Sequence, residues 1–485
     1  MRTPSTAAAL LAVAAVLSAC ATTGAGTTAA DKPATQTAAE KKPLPPGMDP
    51  GRDPAPFASA YRALPSQPTA LVGATILDGA GRQIDGGTVL MRDGKIEQVG
   101  QNLAVPQGYA TVDARGKWIT PGVIDAHSHL GVYPSPGVPA LSDGNEITNP
   151  NTAQVWSEHS LWPHDPGFNT ARAGGVTTLL ILPGSANLFG GRSVTVKNVP
   201  SRTMQGMKFP GAPYGLKMAC GENPSRVYGG RNQSPATGMG NVAGYRNAWI
   251  NAADYARKWE DYRAKQEKGE KADAPKRDLQ LETLAGVLKG EITVQNHCYR
   301  ADEMAVMLDI AKEFGYKIRT FHHASEAYKL ADVLAREDVC VATWAGWWGF
   351  KMESLDGIEE NAPLVHAAGG CAVIHSDDDT LTQRLNQEAA VALSAARRMG
   401  VDISKAEAVK WFTANPAKAI GVLDKTGTLE PGKMADVVIW SRDPFSVYAV
   451  AEKVYVDGAL TWDRADPRFQ PRSDFEIGQK ALENR

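Results

Sequence analysis

Two histidines stand one residue apart in "PGVIDAHSHLG", Pro121 to Gly131, directly after an apolar run. Side chains alternate along a strand, so His127 and His129 share one face, and both rings look beyond the tip if the strand ends there. Other ligand-type residues end other apolar runs. His297 follows "ITVQN", His322 and His323 follow "KIRTF", and His375 and Asp377 follow "CAVI". Imidazole and carboxylate are the donors that Zn²⁺ and similar ions prefer. Lys217 sits inside the apolar run "YGLKMACGE". A buried lysine is costly unless it is paired or chemically changed. Its neutral amine can add carbon dioxide to give a carbamate, whose two oxygens can bridge two ions. The alternative is a stem that reaches the surface or pairs with Glu222.

These residues need elements that bring them to one place. Between residues 119 and 422 the chain alternates apolar runs ("GVTTLLILPG", "EITVQNHCYR", "DVCVATWAG", "GCAVIHSDDD") with helix-like segments such as "ADEMAVMLDIAKEFG" and "EAYKLADVLARED". Repeated strand-then-helix units predict a parallel sheet in the α/β class, and a (β/α) barrel carries its site where such strands end. On both sides lie short β-rich runs with hairpin punctuation: "TALVGATILDGAGRQIDGGTVLMRDGKIEQVG" before, and "TGTLEPGKMADVVIWSRDP" with "KVYVDGALTWD" after. The charged stretch "AADYARKWEDYRAKQEKGEKADAPKRD" reads as an exposed helix and loop.

Composition sets the outer bounds. The chain has 485 residues, 43% hydrophobic and 21% charged, with a formal net charge of -2. That balance suits a soluble globular fold and excludes a basic field for nucleic acid. The five cysteines, Cys20, Cys220, Cys298, Cys340 and Cys371, are scattered without a CxxC, so no disulfide framework follows, although two pairs remain open if Cys20 is used elsewhere. The run Ala7 to Val16 reads as a signal h-region, and "LSAC", Leu17 to Cys20, resembles the bacterial lipobox. That resemblance implies a lipidated Cys20 as the first mature residue. Ala21 in the next position implies the outer membrane, hence a periplasmic or cell-surface location. The Ala-, Thr-, Lys- and Pro-rich stretch that follows reads as a disordered tether.

With "PGVIDAHSHL", the strand-end residues and the flanks "ATILDGAG" and "FTANPAKAIGVLDKTGTLEPGKMADVVIW" in view, the chain resembles the amidohydrolase superfamily from about Ala70 to Trp462. Within it, the imidazolonepropionase-like and prolidase-like branch is nearest. The resemblance implies a metal-dependent (β/α)8 TIM barrel with a small β-sandwich built from both flanks. The expected layout is a signal peptide over 1–20, a tether over 21–65, sandwich segments over 66–118 and 423–465, the barrel over 119–422, and a tail over 466–485. The implied ligands are His127 and His129 on the first strand, Lys217 on the fourth, His297 on the fifth, His323 on the sixth and Asp377 on the eighth, with His322 and Asp378 as alternates. The implied cofactor is a pair of zinc ions bridged by carboxylated Lys217, or a single ion. One ion would be held mainly by His127, His129 and Asp377, the other by His297 and His323. The insert Arg231 to Lys289 has no counterpart in the family pattern.

The chemistry expected of such a site is hydrolysis of an amide, peptide or cyclic-amide C–N bond by an activated water, with Asp377 as proton shuttle. Arg192 in "PGSANLFGGRSV", and Arg226, Tyr228 and Arg231 in "GENPSRVYGGR", are candidates for holding a substrate carboxylate. "WAGWWGF", with Trp344, Trp347, Trp348 and Phe350, reads as a pocket wall or as core packing. A periplasmic dipeptidase-like enzyme heads the readings. A deaminase or cyclic-imide hydrolase of the imidazolonepropionase or dihydroorotase kind comes second, and a non-catalytic metal-holding lipoprotein third. The expected partners are a small molecule or dipeptide, the outer membrane through the lipid, and a further copy of the chain.

Overall fold

The computed structural model describes residues 44–50, 57–135, 137–347 and 349–469. Cys20, the signal segment, most of the tether, Trp348 and most of the C-terminal tail lie outside them.

Five strands precede the barrel: β1 (Thr69–Leu77), β2 (Gln83–Arg92), β3 (Lys95–Gln101), β4 (Ala110–Asp113) and β5 (Trp118–Pro121). Eight strands build it: β6 (Val123–Ser128), β7 (Val176–Ile181), β8 (Phe189–Lys197), β9 (Gly215–Ala219), β10 (Thr293–Cys298), β11 (Ile318–His323), β12 (Cys340–Thr343) and β13 (Cys371–Ile374). Three follow it: β14 (Val437–Trp440), β15 (Ala451–Val456) and β16 (Ala459–Asp463).

The barrel strands lie in chain order from β6 to β13. The two ends of that sheet meet through the backbone bond from Asp377 N to His127 O, 2.9 Å. The fold is TIM-barrel-like, with one departure from the expected alternation. β8 runs antiparallel to both β7 and β9. The loop "LPGSAN" that joins β7 to β8 is too short and too rich in turn residues to carry a crossover helix, so the chain simply reverses. Counting β8 as the third strand still puts Lys217 on the fourth, His297 on the fifth, His323 on the sixth and Asp377 just after the eighth.

The flanks come together as one eight-stranded mixed sheet, in the order β16-β15-β14-β5-β1-β2-β3 with β4 against β1, rather than as two separately bonded sheets. The join is β14 against β5, Val437 opposite Pro121. This sheet has its own apolar core, with Leu71, Ile76, Val89, Ile96, Ile119, Val437 and Tyr455 among its members. It feeds the chain directly into β6. Gly122 makes the turn because a Cβ there would lie 2.1 Å from Thr177 Oγ1. Lys197 on β8 ties barrel to flank, its Nζ 2.8 Å and 2.9 Å from the two oxygens of Asp436 and 3.2 Å from Asp457.

The insert after residue 231 forms two helices, Gly238–Glu267 and Leu279–Leu288. The first presents Tyr245 and Trp249 to the barrel, where both rings meet Phe189 edge-on. Its charged residues are largely exposed, as the charge pattern predicts. Four cysteines pair: Cys220 with Cys298, and Cys340 with Cys371. The first pair joins the residue after β9 to the last residue of β10. The second joins the first residues of β12 and β13, which already face each other in register.

Candidate metal and active site

His127 is fully buried at the end of β6. Its Nε2 lies 3.2 Å from Asp377 Oδ1 and 3.2 Å from Lys217 Nζ. His129 Nε2 lies 3.1 Å from the same Asp377 oxygen. The Nδ1 of His129 is 2.8 Å from Leu182 O, a carbonyl that can only accept, so Nδ1 carries the proton and Nε2 keeps its lone pair. His127, His129 and Asp377 thus form a compact group of ligand atoms of the kind a divalent cation needs.

His127, His323 and His375 form a second group. His323 Nδ1 is 3.9 Å from Asp377 Oδ2 and has no hydrogen-bond partner among the described residues. Neither ring nitrogen of His375 has one either. Buried imidazole nitrogens without partners are costly, and a bound cation would satisfy them. The residues present therefore fit a metal ion.

Two consecutive residues of a strand cannot both face the barrel interior. His322 lies opposite His297 in the register and points inward. His323 reaches the site because its backbone turns into the left-handed region, φ 68°. Asp377 does the same at φ 65°. Both nitrogens of His322 are occupied, by His127 and by Gln295, whereas Nδ1 of His323 is open. Between the two alternates, His323 is the one placed to bind.

His297 sits against His323, ring centroids 4.5 Å apart. Its Nε2 accepts from Asn223 Nδ2 at 3.2 Å, and its Nδ1 has no partner among the described residues. The second histidine group therefore contains His375 where the family pattern has His297. His375 is the residue that the family pattern passes over. The signal for it was its place two residues before Asp377 at the same strand end.

Burial pushes Lys217 down to about 8 and acts against the pull of Asp377, so a minority of the amine is neutral near physiological pH, far more than for an exposed lysine. Burial likewise drives His127, His297, His322 and His323 well below the usual imidazole range and His375 down to about 3. Burial opposes ionisation of Asp377, but the neighbouring His323 and His129 outweigh it and hold the carboxyl far below its ordinary value. The site thus places one carboxylate among buried imidazole nitrogens, a donor set that suits a cation.

Trp344 is a wall of this site. It stacks on His323 at 4.5 Å and donates from Nε1 to Ser376 O at 3.0 Å. Trp347 and Phe350 continue outward from it and are exposed. Asp378 accepts from Thr380 and Leu381 in its own turn, which leaves Asp377 as the site carboxylate.

The arginines fare differently. Arg192 is buried on β8, its Nε donating to Thr283 Oγ1 at 2.8 Å and its guanidinium 4.1 Å above the Trp156 ring. Its guanidinium is therefore already engaged within the fold. Tyr228 is also committed, its hydroxyl donating to Asn149 O at 2.7 Å. Arg231 donates to Ile147 O. Arg226 is exposed on the helix Glu222–Gly229 and stays open to a ligand. Lys351 escaped the sequence reading. Its Nζ lies 2.9 Å from Asn223 Oδ1 and 4.6 Å over the ring of Tyr299, two residues after His297.

Strand-end imidazoles and a carboxylate thus meet at one rim of a TIM-barrel-like fold. An amidohydrolase family model matches residues 367–461. The crystal structure of an amidohydrolase from Thermotoga maritima MSB8 is 34% identical, covers 82% of this chain and 100% of its own, and superposes with a TM-score of 0.74. The chain belongs to the amidohydrolase superfamily and is an enzyme of it. The amidohydrolase tasK of Hapsidospora irregularis is 32% identical over 396 residues, 78% of this chain but 40% of that protein, so the chain spans two-fifths of that relative's length. An imidazolonepropionase of Brucella anthropi (strain ATCC 49188) is 25% identical over 416 residues, 77% of this chain and 90% of its own length.

Proposed function

We propose that the chain is a metal-dependent hydrolase of C–N bonds, acting on amide, peptide or cyclic-amide substrates, with a dipeptidase-like role outside the cytoplasm. The observation that carries this reading is the meeting of His127 Nε2, His129 Nε2 and Asp377 Oδ1 at the barrel mouth, within 3.2 Å of Asp377 in each case. These three residues would hold one cation; His323 and His297, with His375 beside them, would hold a second. A divalent cation supplies a water acidified toward neutral pH and polarises the scissile carbonyl.

The chain's own residues do the rest. Asp377 takes the proton of the attacking water and returns it to the leaving nitrogen, since an amide nitrogen leaves only as the amine. Trp344 and Tyr299 keep bulk water from the His323 side. Lys217, when neutral, adds carbon dioxide: the N–C bond forms, one C=O pair moves to oxygen, and a proton is released. The resulting carbamate would carry one negative charge shared over two oxygens beside His127, and so could serve as an anionic ligand to the metal. Zinc suits the nitrogen and oxygen donors. Arg226 is the cation available for a substrate carboxylate, while Lys351 is already shared between Asn223 and Glu222, 2.9 Å and 3.6 Å away. The paired cysteines support an oxidising location, in keeping with a lipid-anchored periplasmic protein.

A library of dipeptides and cyclic amides offered to zinc-loaded protein tests the reading. Release of amine from at least one class, abolished by chelation, is the expected result. Turnover that survives removal of all metal would overturn it.

A further inference from the structure

We propose that Gln295 and His322 are positioning residues that fix the proton of His127 on Nδ1 and so aim its Nε2 lone pair at the metal position. The proposal rests on the metal-dependent reading above, but its first readout does not.

The chain of donors can be followed from one end. Ala419 O is a carbonyl and can only accept. Gln295 Nε2 lies 3.1 Å from it and 3.2 Å from Thr293 Oγ1, so the amide nitrogen is turned that way. Gln295 Oε1 must then face His322, 2.8 Å from its Nε2. An amide oxygen only accepts, so His322 Nε2 carries a proton. His322 is fully buried and meets no carboxylate at either nitrogen, so it is neutral and has one proton only. Its Nδ1 is therefore a lone pair. That lone pair lies 2.9 Å from His127 Nδ1, which must supply the hydrogen between them. His127 is left with its lone pair on Nε2, the atom that faces Lys217 and Asp377.

The strands enforce this order. Gln295 lies opposite Lys217, and His322 lies opposite His297, so both side chains enter the barrel beside the ligands. Without the acceptor on His322, the His127 ring is free to carry its proton on Nε2. A donor N–H would then point where a cation should sit. Outer partners of a ligating histidine set its tautomer and raise its basicity, and losing one weakens metal binding about 10–100-fold.

The test has two readouts. In metal-free wild type with ¹⁵N-labelled histidine, long-range ¹H–¹⁵N correlation should show His322 protonated at Nε2 only and His127 at Nδ1 only, with assignments from His322→Asn and His127→Asn. The reverse tautomers would overturn the proposal, whether or not the protein binds metal. The second readout is the zinc Kd by chelator competition. His322→Asn keeps an acceptor near the Nδ1 position and should bind within a few-fold of wild type, whereas His322→Leu should bind about 10–100-fold more weakly. Equal affinity in both variants would overturn it. Should His322→Leu not fold, the wild-type tautomers decide. A wild type that shows the expected tautomers yet binds no zinc would refute the metal reading instead.

Discussion

Asp125 and Ser376 clasp the first barrel strand to the loop after the last one. The buried carboxylate of Asp125 accepts from the Ser376 hydroxyl and, at 3.3 Å, from the Ser376 backbone N–H. The same carboxylate accepts from His127 N at 3.1 Å and from Thr382 Oγ1 at 3.2 Å. One side chain thus holds the backbone of the ligand His127 and that of the residue before Asp377.

Asp125→Ala leaves four donors without their acceptor. It should cost about 2–4 kcal/mol of stability, because each buried unsatisfied group costs about 1–3 kcal/mol and the loop relaxes to recover part. Denaturant unfolding measures this. Activity should fall further than stability, since Asp377 loses its support. A variant with unchanged unfolding and turnover would show that the clasp is idle.

Glu303 gives a pH-dependent signature. Burial, reinforced by Glu353 and Asp302, pushes its carboxyl up to about 7. The folded state holds this proton more tightly than the unfolded chain, where the group titrates near 4.5. Its stabilising contribution is present in full below about 4.5 and is lost as pH rises through about 7. Glu303→Gln should flatten the stability profile between about pH 5 and about pH 8 and raise stability at the alkaline end. Urea unfolding of both proteins at the two ends checks the sign.

The Cys220–Cys298 bond staples the ends of the strands that carry Lys217 and His297. The double variant Cys220→Ser, Cys298→Ser should lose about 2–4 kcal/mol, the usual worth of a disulfide that closes a long loop. It should also release zinc more readily than a Cys340→Ser, Cys371→Ser protein, whose bond lies at the other end of the barrel strands. Equal zinc release from the two variants would count against the staple.

Much of the site was legible because metal ligands are few in kind and must sit at strand ends. His127, His129, Lys217 and Asp377 are marked by residue type inside or after apolar runs, and the structure brings all four within hydrogen-bond reach of one another in a chain. What stayed hidden was direction. "FGGRSVTVK" is rich in small and polar residues and carries no mark of strand direction, so neither the reversal of β8 nor the burial of Arg192 in it could be read. Adjacent His322 and His323 differ in role only because of one left-handed φ. The pairing of four cysteines depends on which strands are neighbours. Gln295 carries no chemical signal of its own and matters only through the His322 ring above it.

Lys217→Ala tests the bridging carbamate. It should lower bound zinc from about two ions per chain toward one, since the second ion would keep histidines only. Short carboxylic acids should restore part of the activity, and wild type prepared free of carbon dioxide should regain activity on adding bicarbonate. Unchanged zinc content in the variant would leave Lys217 an ordinary amine.

The most direct measurement is the zinc content of purified wild type, loaded and then desalted, set beside His129→Asn. About two ions per chain are predicted for wild type, with the ion at His127, His129 and Asp377 lost or greatly weakened in the variant. One ion with full activity would refute the two-metal site and leave the hydrolase standing. Wild type that retains no zinc, or a variant that retains as much, would contradict the account.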